Sequence, residues 1–214
     1  MRILGLSSGP FQTNCYIIVD DSAERACLVD AGMGTHQIVT RVLEEEGLTL
    51  EAIFLTHGHI DHTRDAAMFG VPVFIHEADA FMLDHGRGLS ASTLQLFDAA
   101  SMSAVSDLRT FSTDGGVGLA GFSFEAIHAP GHSPGSVLYQ MGDVVFSGDV
   151  VFAGSVGRTD LPYSDPEAMK ASLSGPVWAI DDQTSLLPGH GPATTMEHER
   201  TSNPFLLEVR EQEL

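Results

Sequence analysis

Positive charge is the property that this sequence has least of. Only ten lysine and arginine residues stand against 29 aspartate and glutamate residues, Lys170 is the one lysine, and the formal net charge is −19. Surfaces that bind nucleic acids or anionic lipids need clustered basic side chains. We therefore expect neither a nucleic-acid partner nor a membrane partner for this chain.

Long hydrophobic runs and cysteines are also scarce. The sequence has no stretch of about 18 consecutive apolar residues, so we expect no membrane span, and the apolar part of its start is too short for a signal peptide. Its two cysteines, Cys15 and Cys27, form no C-x-x-C pair. A reduced, cytoplasmic protein is the simplest interpretation, and a single disulfide between the two cysteines is the alternative.

One cluster combines the residue types that bind metal ions. Three histidines and one aspartate fall within six positions: His57, His59, Asp61 and His62. The cluster follows a short apolar run, residues 53–55, which predicts a buried strand. Because residues two apart on an extended turn point the same way, the first two histidines can face one point, and the aspartate and last histidine a second. Imidazole and carboxylate groups bind zinc, iron and manganese, so the spacing predicts two neighbouring metal ions.

Three later positions place a polar residue where an apolar strand gives way to a glycine-containing turn: His132, Asp149 and His190. Glycines at such turns let the backbone approach a ligand closely. Each residue taken singly could be an ordinary turn residue, but together with the cluster they predict further ligands. We expect one ion among His57, His59 and His132, a second among Asp61, His62 and His190, and Asp149 bridging the two.

Strands and helices alternate in the first half of the chain, and strands dominate the second half. The predicted strands are residues 1–6, 15–19, 26–30, 53–55, 71–75, 121–129, 136–140, 144–147 and 184–187. The predicted helices are residues 35–46, with Thr35 as N-cap and Gly47 after the last turn, 64–69, 77–83 and 165–173. Residues 84–118 interrupt the pattern and predict a long, partly helical excursion near the site. The pattern indicates α/β layers with two sheets packed together and no linker between domains.

Three other polar residues near these elements have less specific patterns. Asp30 ends the third predicted strand, where an aspartate is more often a turn residue than a partner of a metal ligand. His76 and His85 lack partners at ligand spacing, so we expect surface histidines.

The motifs resemble those of the metallo-β-lactamase superfamily in type and order: residues 56–62, 131–136, 148–149 and 189–191. Within that superfamily, three further stretches are similar to the compact relatives of type II glyoxalase, the hydroxyacylglutathione hydrolases: residues 9–16, 149–160 and 188–206. The resemblance implies a four-layer αββα sandwich, with two mixed sheets packed face to face and helices outside. It implies a single domain over residues 1–214, without the C-terminal helical domain that grips glutathione in full-length type II glyoxalases.

The resemblance also implies an activity, which is the metal-dependent hydrolysis of thioesters such as S-lactoylglutathione. Two divalent ions, zinc first and iron or manganese as alternatives, would hold a bridging hydroxide as nucleophile, oriented by the catalytic residues Asp61 and Asp149. Arg158 is the expected substrate-binding residue, because the family's lysine-x-tyrosine motif is replaced here by Arg158-Thr159-Asp160. The expected partner is a small thioester or another activated carbonyl compound, and the oligomeric state is not indicated.

Two other activities fit the same group of residues. An iron-dependent persulfide dioxygenase of the superfamily uses one metal ion, held by two histidines and an aspartate. A lactonase or β-lactamase would use the same nucleophile on a different activated carbonyl. His190, as a ligand of a second ion, favours the hydrolase over the dioxygenase.

Overall fold

The computed structural model describes residues 1–85, 87–112 and 114–212. The strands are β1 (Arg2–Ser8), β2 (Thr13–Asp20), β3 (Arg25–Val29), β4 (Thr49–Phe54), β5 (Val73–His76), β6 (Leu108–Phe111), β7 (Gly115–Leu119), β8 (Phe122–His128), β9 (Val137–Met141), β10 (Val144–Gly148), β11 (Val151–Phe152), β12 (Ser155–Val156), β13 (Ser185–Pro188) and β14 (Thr194–Thr195). The α-helices are α1 (Thr35–Glu46), α2 (Ile60–Thr63), α3 (Ala91–Leu96), α4 (Pro166–Ser172), α5 (Met196–Ser202) and α6 (Pro204–Gln212). Short 3-10 segments cover Ala66–Phe69, Glu77–Leu83 and Ala99–Ser101, and a π-helical turn covers Leu173–Val177.

These elements form two compact units. The first unit runs to Ser112 and includes Leu119–Phe122, and the second contains the remaining described residues. Each unit has one six-stranded mixed sheet with its own helices, which confirms the predicted α/β class with two mixed sheets. The organisation of residues 1–214 as a single domain stays a prediction.

The sheet of the first unit has the strand order β1-β2-β3-β4-β5-β6. Strands β1 to β3 are antiparallel neighbours, whereas β3, β4, β5 and β6 run parallel. Its core is built from β-branched and other aliphatic side chains, among them Ile17, Leu28 and Ile53, against which α1 packs Val39. Because β3, β4, β5 and β6 run parallel, their carboxyl ends share one edge of the sheet, and the loops after these strands begin at that edge.

Helix α1 confirms the helix predicted over residues 35–46, and Gly47 ends it in the left-handed conformation (φ 65°). The predicted N-cap is wrong by one position, because Gly34 precedes the helix and Thr35 is its first residue. The capping acceptor comes from elsewhere in the chain: Asp65 Oδ2 accepts hydrogen bonds from the backbone N–H groups of Gly34 (2.8 Å) and His36 (3.1 Å). A distant carboxylate thus satisfies donors that a local cap usually satisfies.

The sheet of the second unit has the order β14-β13-β10-β9-β8-β7. Strands β10 and β13 are parallel, and β9 is antiparallel to both β8 and β10. Apolar residues of the sheet, such as Leu138 and Leu186, pack in one cluster with Met169, Leu173 and Leu206 from the helical segments. Because β9 is antiparallel to both β8 and β10, and β13 is parallel to β10, strands β8, β10 and β13 point the same way and end at one edge of the sheet.

Several local predictions need correction. The span predicted as a helix, residues 64–69, contains only the 3-10 segment Ala66–Phe69, and the α-helix of this region, α2, lies before it, inside the histidine cluster. The excursion over residues 84–118 contains α3, but also the edge strands β6 and β7, so describing it as partly helical was incomplete; its residues 86 and 113 lie outside the described residues. His85 is exposed as expected, but His76 is buried and its Nδ1 accepts from the Ala78 N–H.

The predictions about a disulfide and about membrane-spanning segments can be compared with the described residues. Cys15 and Cys27 are buried free thiols, so the alternative of a disulfide between them is not realised. Among the described residues, no helix combines the length and the apolar character needed to cross a membrane.

A buried carboxylate holds the C-terminal helices to the β11–β12 hairpin. Glu199, which is 0% exposed, accepts hydrogen bonds from the backbone N–H of Gly154 (2.8 Å), the Thr194 hydroxyl (2.6 Å) and Asn203 Nδ2 (2.9 Å). The same Asn203 amide also donates to the backbone oxygen of Ser155 (2.9 Å). Because all these donors are directed at Glu199, an acceptor must occupy this position.

Replacing Glu199 by glutamine tests this network. The substitution keeps the shape but replaces one acceptor oxygen by an NH₂ group, which then faces either the Thr194 hydroxyl or both the Gly154 N–H and Asn203 Nδ2. This loss should cost about 2 kcal/mol of unfolding free energy and lower the melting temperature by roughly 4–8 °C. Thermal unfolding followed by circular dichroism measures the change. The matched control is Glu197→Gln on the exposed side of the same helix, which should melt within about 1 °C of the wild type; equal melting temperatures for both variants would contradict the network's importance.

Candidate metal centre

Parallel strands bring the histidine cluster and Asp30 to one edge of the first unit's sheet. Asp30 directly follows β3, and the cluster follows the neighbouring strand β4. The backbone N–H of Asp30 donates to Phe54 O (3.1 Å), and the N–H of Ala31 donates to His62 O (2.7 Å). These bonds fix the two strand ends relative to each other before any side chain contributes.

The imidazole rings of the cluster pack against one another. The ring centroids of His57 and His59 lie 4.8 Å apart at an interplanar angle of 90°, and those of His57 and His62 lie 4.2 Å apart. All three histidines are at most 8% exposed, and Asp61 is 9% exposed. His62 Nε2 lies 3.5 Å from Asp61 Oδ2. Four potential metal ligands of the first unit are thus gathered in a largely buried group.

Asp30 fixes the orientation of two of these histidines. Its Oδ2 lies 2.8 Å from His62 Nδ1, so Nδ1 donates to the carboxylate and the lone pair is left on Nε2. Its two oxygens also accept from the Thr56 N–H (2.8 Å) and the Thr56 hydroxyl (2.9 Å). Because that hydroxyl proton is directed at Asp30, the Thr56 oxygen can accept from His57 Nδ1 at 3.1 Å. Such partners fix the tautomer that a metal-binding imidazole needs.

Asp30 adopts an unusual backbone conformation to make these bonds. Its φ is 61°, in the left-handed region that aspartate and asparagine tolerate better than most residues, and its side chain is buried. The sequence-based expectation that Asp30 is more often a turn residue therefore describes its backbone but understates the role of its side chain.

Two glycines make room for the cluster. A Cβ at Gly32 would collide with the carbonyl oxygen of Asp61, and a Cβ at Gly58 would lie 2.8 Å from both Asp79 O and Met82 Cβ. The Gly58 N–H donates to the buried Asp79 carboxylate (2.8 Å), which holds the peptide between the first two histidines. Thr13 in turn donates to Asp61 Oδ2 (3.2 Å).

The second unit gathers the other three predicted ligands at the edge where β8, β10 and β13 end. Asp149 Oδ2 lies 3.5 Å from His132 Nε2 and 3.4 Å from His190 Nε2. Asp149 and His132 are 8% and 3% exposed, whereas the His190 side chain is 25% exposed. One carboxylate oxygen, Asp149 Oδ2, thus faces the Nε2 atoms of both histidines.

Hydrogen bonds to its ring and to its carbonyl group fix the position of His132. Its Nδ1 donates to the carbonyl oxygen of Arg158 (2.9 Å), and the Ser164 hydroxyl donates to the His132 carbonyl (2.6 Å). A Cβ at Gly157 would collide with the Asp149 carbonyl and lie 3.0 Å from His132 Cγ. The protonated Nδ1 leaves the Nε2 lone pair of His132 available on the side of Asp149.

His190 is positioned by its loop and by an aromatic neighbour. The Gly189 N–H donates to Gly148 O (2.8 Å), which joins the loops after β13 and β10. The Phe152 ring meets the His190 ring edge to face, with centroids 6.0 Å apart.

The residues present fit divalent metal ions. Each of the seven predicted ligands belongs to a group of at least three His or Asp side chains that could hold a metal ion: His57, His59, Asp61, His62, His132, Asp149 and His190. Imidazole and carboxylate donors suit zinc, iron or manganese. The Nδ1 partners of His62 and His132 and the glycines packed against the ligand loops are the supports that such a site requires.

Arg158, the predicted substrate-binding residue, lies on the surface. Its Nε and Nη2 donate to the two oxygens of Asp160 at 2.7 and 2.8 Å, and both side chains are well exposed. These bonds raise the pKa of the Arg158 guanidinium and lower the pKa of the Asp160 carboxyl. An anionic substrate group would meet a cation that already has a carboxylate partner.

Sequence reasoning missed Thr13 and Asp79 and underrated Asp30. Asp30 carried a usable signal, because it ends an apolar strand as Asp149 does. Thr13 and Asp79 carried none, since they act through hydrogen bonds to residues 48 and 21 positions away.

Comparison with known proteins identifies similar sequences and folds. The family model of the metallo-beta-lactamase superfamily matches residues 8–190. An uncharacterized protein of Mycobacterium tuberculosis (strain ATCC 25618 / H37Rv) is 37% identical over 96% of this chain and 98% of its own length. The hydroxyacylglutathione hydrolase GloC of Haemophilus influenzae is 36% identical over 92% of this chain and 93% of its own length.

Two solved structures have similar folds over nearly the whole chain. The BLEG-1 B3 metallo-beta-lactamase gives a TM-score of 0.84 at 33% identity, covering 96% of this chain and 99% of that one. The protein TTHA1623, described in a di-iron-bound form, gives a TM-score of 0.78 at 35% identity, covering 94% of this chain and 99% of that one.

Replacing Asp30 by asparagine tests the orientation of the ligands. Asparagine tolerates the positive φ, but its NH₂ group opposite His62 Nδ1 would favour the tautomer whose proton sits on Nε2, the nitrogen needed for a metal. Zinc affinity, measured by competition with a chromophoric chelator, should fall roughly 10–100-fold. The exposed Asp21→Asn variant serves as control and should bind zinc like the wild type; unchanged affinity in Asp30→Asn, with the fold verified by circular dichroism, would contradict this role.

Proposed function

Because the chain belongs to the metallo-beta-lactamase superfamily, we propose that it is a metal-dependent hydrolase of activated carbonyl compounds, with thioesters such as S-lactoylglutathione as its first substrate class. The observation that supports this most is the set of His and Asp donors in a chain 36% identical to a hydroxyacylglutathione hydrolase. The substrate is a small molecule, and the enzyme acts in the cytoplasm, where Cys15 and Cys27 would stay reduced.

The proposed centre has the ligand set that the sequence analysis predicts. His57, His59 and His132 would hold one ion, Asp61, His62 and His190 the other, and Asp149 would contribute to both. Zinc is the first choice because imidazole and carboxylate suit it. Iron is the next choice, since the relative TTHA1623 has a di-iron-bound form, and manganese remains a further alternative.

Divalent ions, when bound, polarise a carbonyl group and make hydroxide available near neutral pH. The residues of the chain determine where that chemistry happens. Asp61, fixed by Thr13 at 3.2 Å, and Asp149, which faces His132 and His190, would orient the attacking water and offset the positive charge of the ions. A thiolate leaving group is stable enough to depart without a strong general acid.

Arg158 would bind an anionic part of the substrate. Its planar guanidinium suits a carboxylate, and Asp160 already occupies it in that manner. Exchange of Asp160 for a substrate carboxylate is feasible because exposed ion pairs are weak and screened by salt.

A β-lactam is the second candidate substrate. It is favoured by one finding, the 33% identity and 0.84 TM-score with the BLEG-1 B3 metallo-beta-lactamase. The same catalytic residues would act on its strained amide carbonyl.

The function is tested by metal removal and reloading. Purified protein treated with a chelator should lose S-lactoylglutathione hydrolysis and recover it on addition of zinc, iron(II) or manganese, with nitrocefin assayed in parallel. Asp149→Asn should lower kcat/KM by about 100-fold or more, while the control Asp143→Asn, at an exposed aspartate before β10, should match the wild type. Full thioester hydrolysis by the metal-free protein, or by Asp149→Asn, would overturn the proposal, and hydrolysis of nitrocefin alone would favour the second candidate.

A further inference from the structure

An exposed aromatic ring lies on the loop that precedes Thr13, the residue bonded to Asp61. Phe11 is 50% exposed, and its ring meets Phe97 edge to face, with centroids 5.1 Å apart at 78°. Phe97 itself is 1% exposed. One face of the pair is therefore anchored in the protein while the other is open to solvent.

The anchor is a small apolar cluster packed against the metal-ligand helix. Phe97 packs with Ala99, Met102 and Ile60 in a cluster separate from the main core of the unit. Ile60 stands between His59 and Asp61 in the sequence. The cluster thus connects the excursion after residue 84 to the segment that carries four of the proposed ligands.

Arg64, which follows α2, ties this segment down. Its side chain is only 10% exposed, and its Nε donates to Phe97 O at 2.7 Å. Its Nη2 donates to Asp98 O (3.2 Å) and to the Ser101 hydroxyl (2.7 Å). The first two acceptors are the carbonyl groups of the two residues that follow α3, and the Asp98 carbonyl also accepts from the Ser101 N–H (3.1 Å).

The bonds of Arg64 determine where Phe97 lies relative to α2. Two successive carbonyls and a hydroxyl are held by one planar guanidinium, a geometry that lysine cannot reproduce with a single ammonium group. Asp98, which provides the second of these carbonyls, has a φ of 46°, a backbone conformation that needs support from its surroundings. Displacing Arg64 would therefore shift Phe97 and the Phe11 ring packed on it.

We propose that Arg64 is a positioning residue that, through the buried Phe97, holds the exposed Phe11 ring as an apolar wall for the acyl group of the substrate. The inference rests on the proposed thioester hydrolysis and adds to it a preference for longer, uncharged acyl groups over short ones. The charges next to the wall are already paired, since Arg64 Nη2 and Asp98 Oδ2 lie 3.7 Å apart. The wall consequently offers contact area and no free charge.

Two thioesters that differ only in acyl length test the wall. S-acetyl- and S-hexanoyl-N-acetylcysteamine are both neutral, so the net charge of −19 affects them equally. In Phe11→Ala the KM for the hexanoyl ester should rise about 10-fold, while kcat, and both constants for the acetyl ester, stay within about 2-fold. The control Leu96→Ala removes a side chain of similar exposure (47%) on α3 and should leave the ratio of the two KM values unchanged.

Arg64 is tested through a double-mutant cycle. Arg64→Ala should raise the hexanoyl KM by about the same factor as Phe11→Ala, Arg64→Lys should recover part of the loss, and the double variant should be no worse than either single variant, because both act on one wall. Metal content per chain and thermal unfolding are measured for each variant. If Arg64→Ala loses metal or fold, Arg64→Lys replaces it in the cycle. Additive effects of the two substitutions would overturn the positioning role.

Binding without turnover separates this inference from the proposed function. Calorimetry with the thioether S-hexyl-N-acetylcysteamine, which has no carbonyl to cleave, should give a Kd about 10-fold weaker for Phe11→Ala than for the wild type. This loss of affinity for the thioether, in a protein that hydrolyses neither ester, would support the apolar wall and contradict thioester hydrolysis. Hydrolysis of both esters with a KM ratio unaffected by Phe11→Ala would overturn the wall and leave the proposed function standing.

Discussion

The hydrogen bond between His62 Nδ1 and Asp30 Oδ2 is the contact on which the first half of the candidate centre depends. An imidazole binds a metal through one nitrogen only if the other carries the proton, and a buried carboxylate at 2.8 Å enforces that state. The same carboxylate engages the Thr56 N–H and hydroxyl, and through that hydroxyl it reaches His57. In the second unit, the Arg158 carbonyl has the equivalent effect on His132.

The architecture explains why the predicted ligands of each unit gather where they do. Parallel strands end at a common edge, so short loops after β3 and β4 bring Asp30 and the histidine cluster together, and loops after β8, β10 and β13 bring His132, Asp149 and His190 together. Small residues then let the loops pass close to one another, as Gly32 does beside Asp61 and Gly157 beside Asp149.

The sequence predicts the ligand-type residues because each of those loops follows an apolar strand and carries imidazole or carboxylate groups, and their binding of metal ions stays a prediction. It did not suffice for Asp30, whose importance depends on a positive φ and on a contact 32 residues away. Strand β6 was also missed, because its four residues become a strand only by pairing with β5. His76 looked like a surface histidine because burial depends on the packing of distant segments. The local pattern of α1 was sufficient for its bounds but not for its cap, which Asp65 provides from a distant position.

Anomalous diffraction from crystals of the zinc-loaded protein tests the two-ion centre most directly. We expect two peaks per chain, one bound by His57, His59 and His132 and the other by Asp61, His62 and His190, with Asp149 in contact with both. A single peak, or zinc bound without His132 or His190, would contradict it.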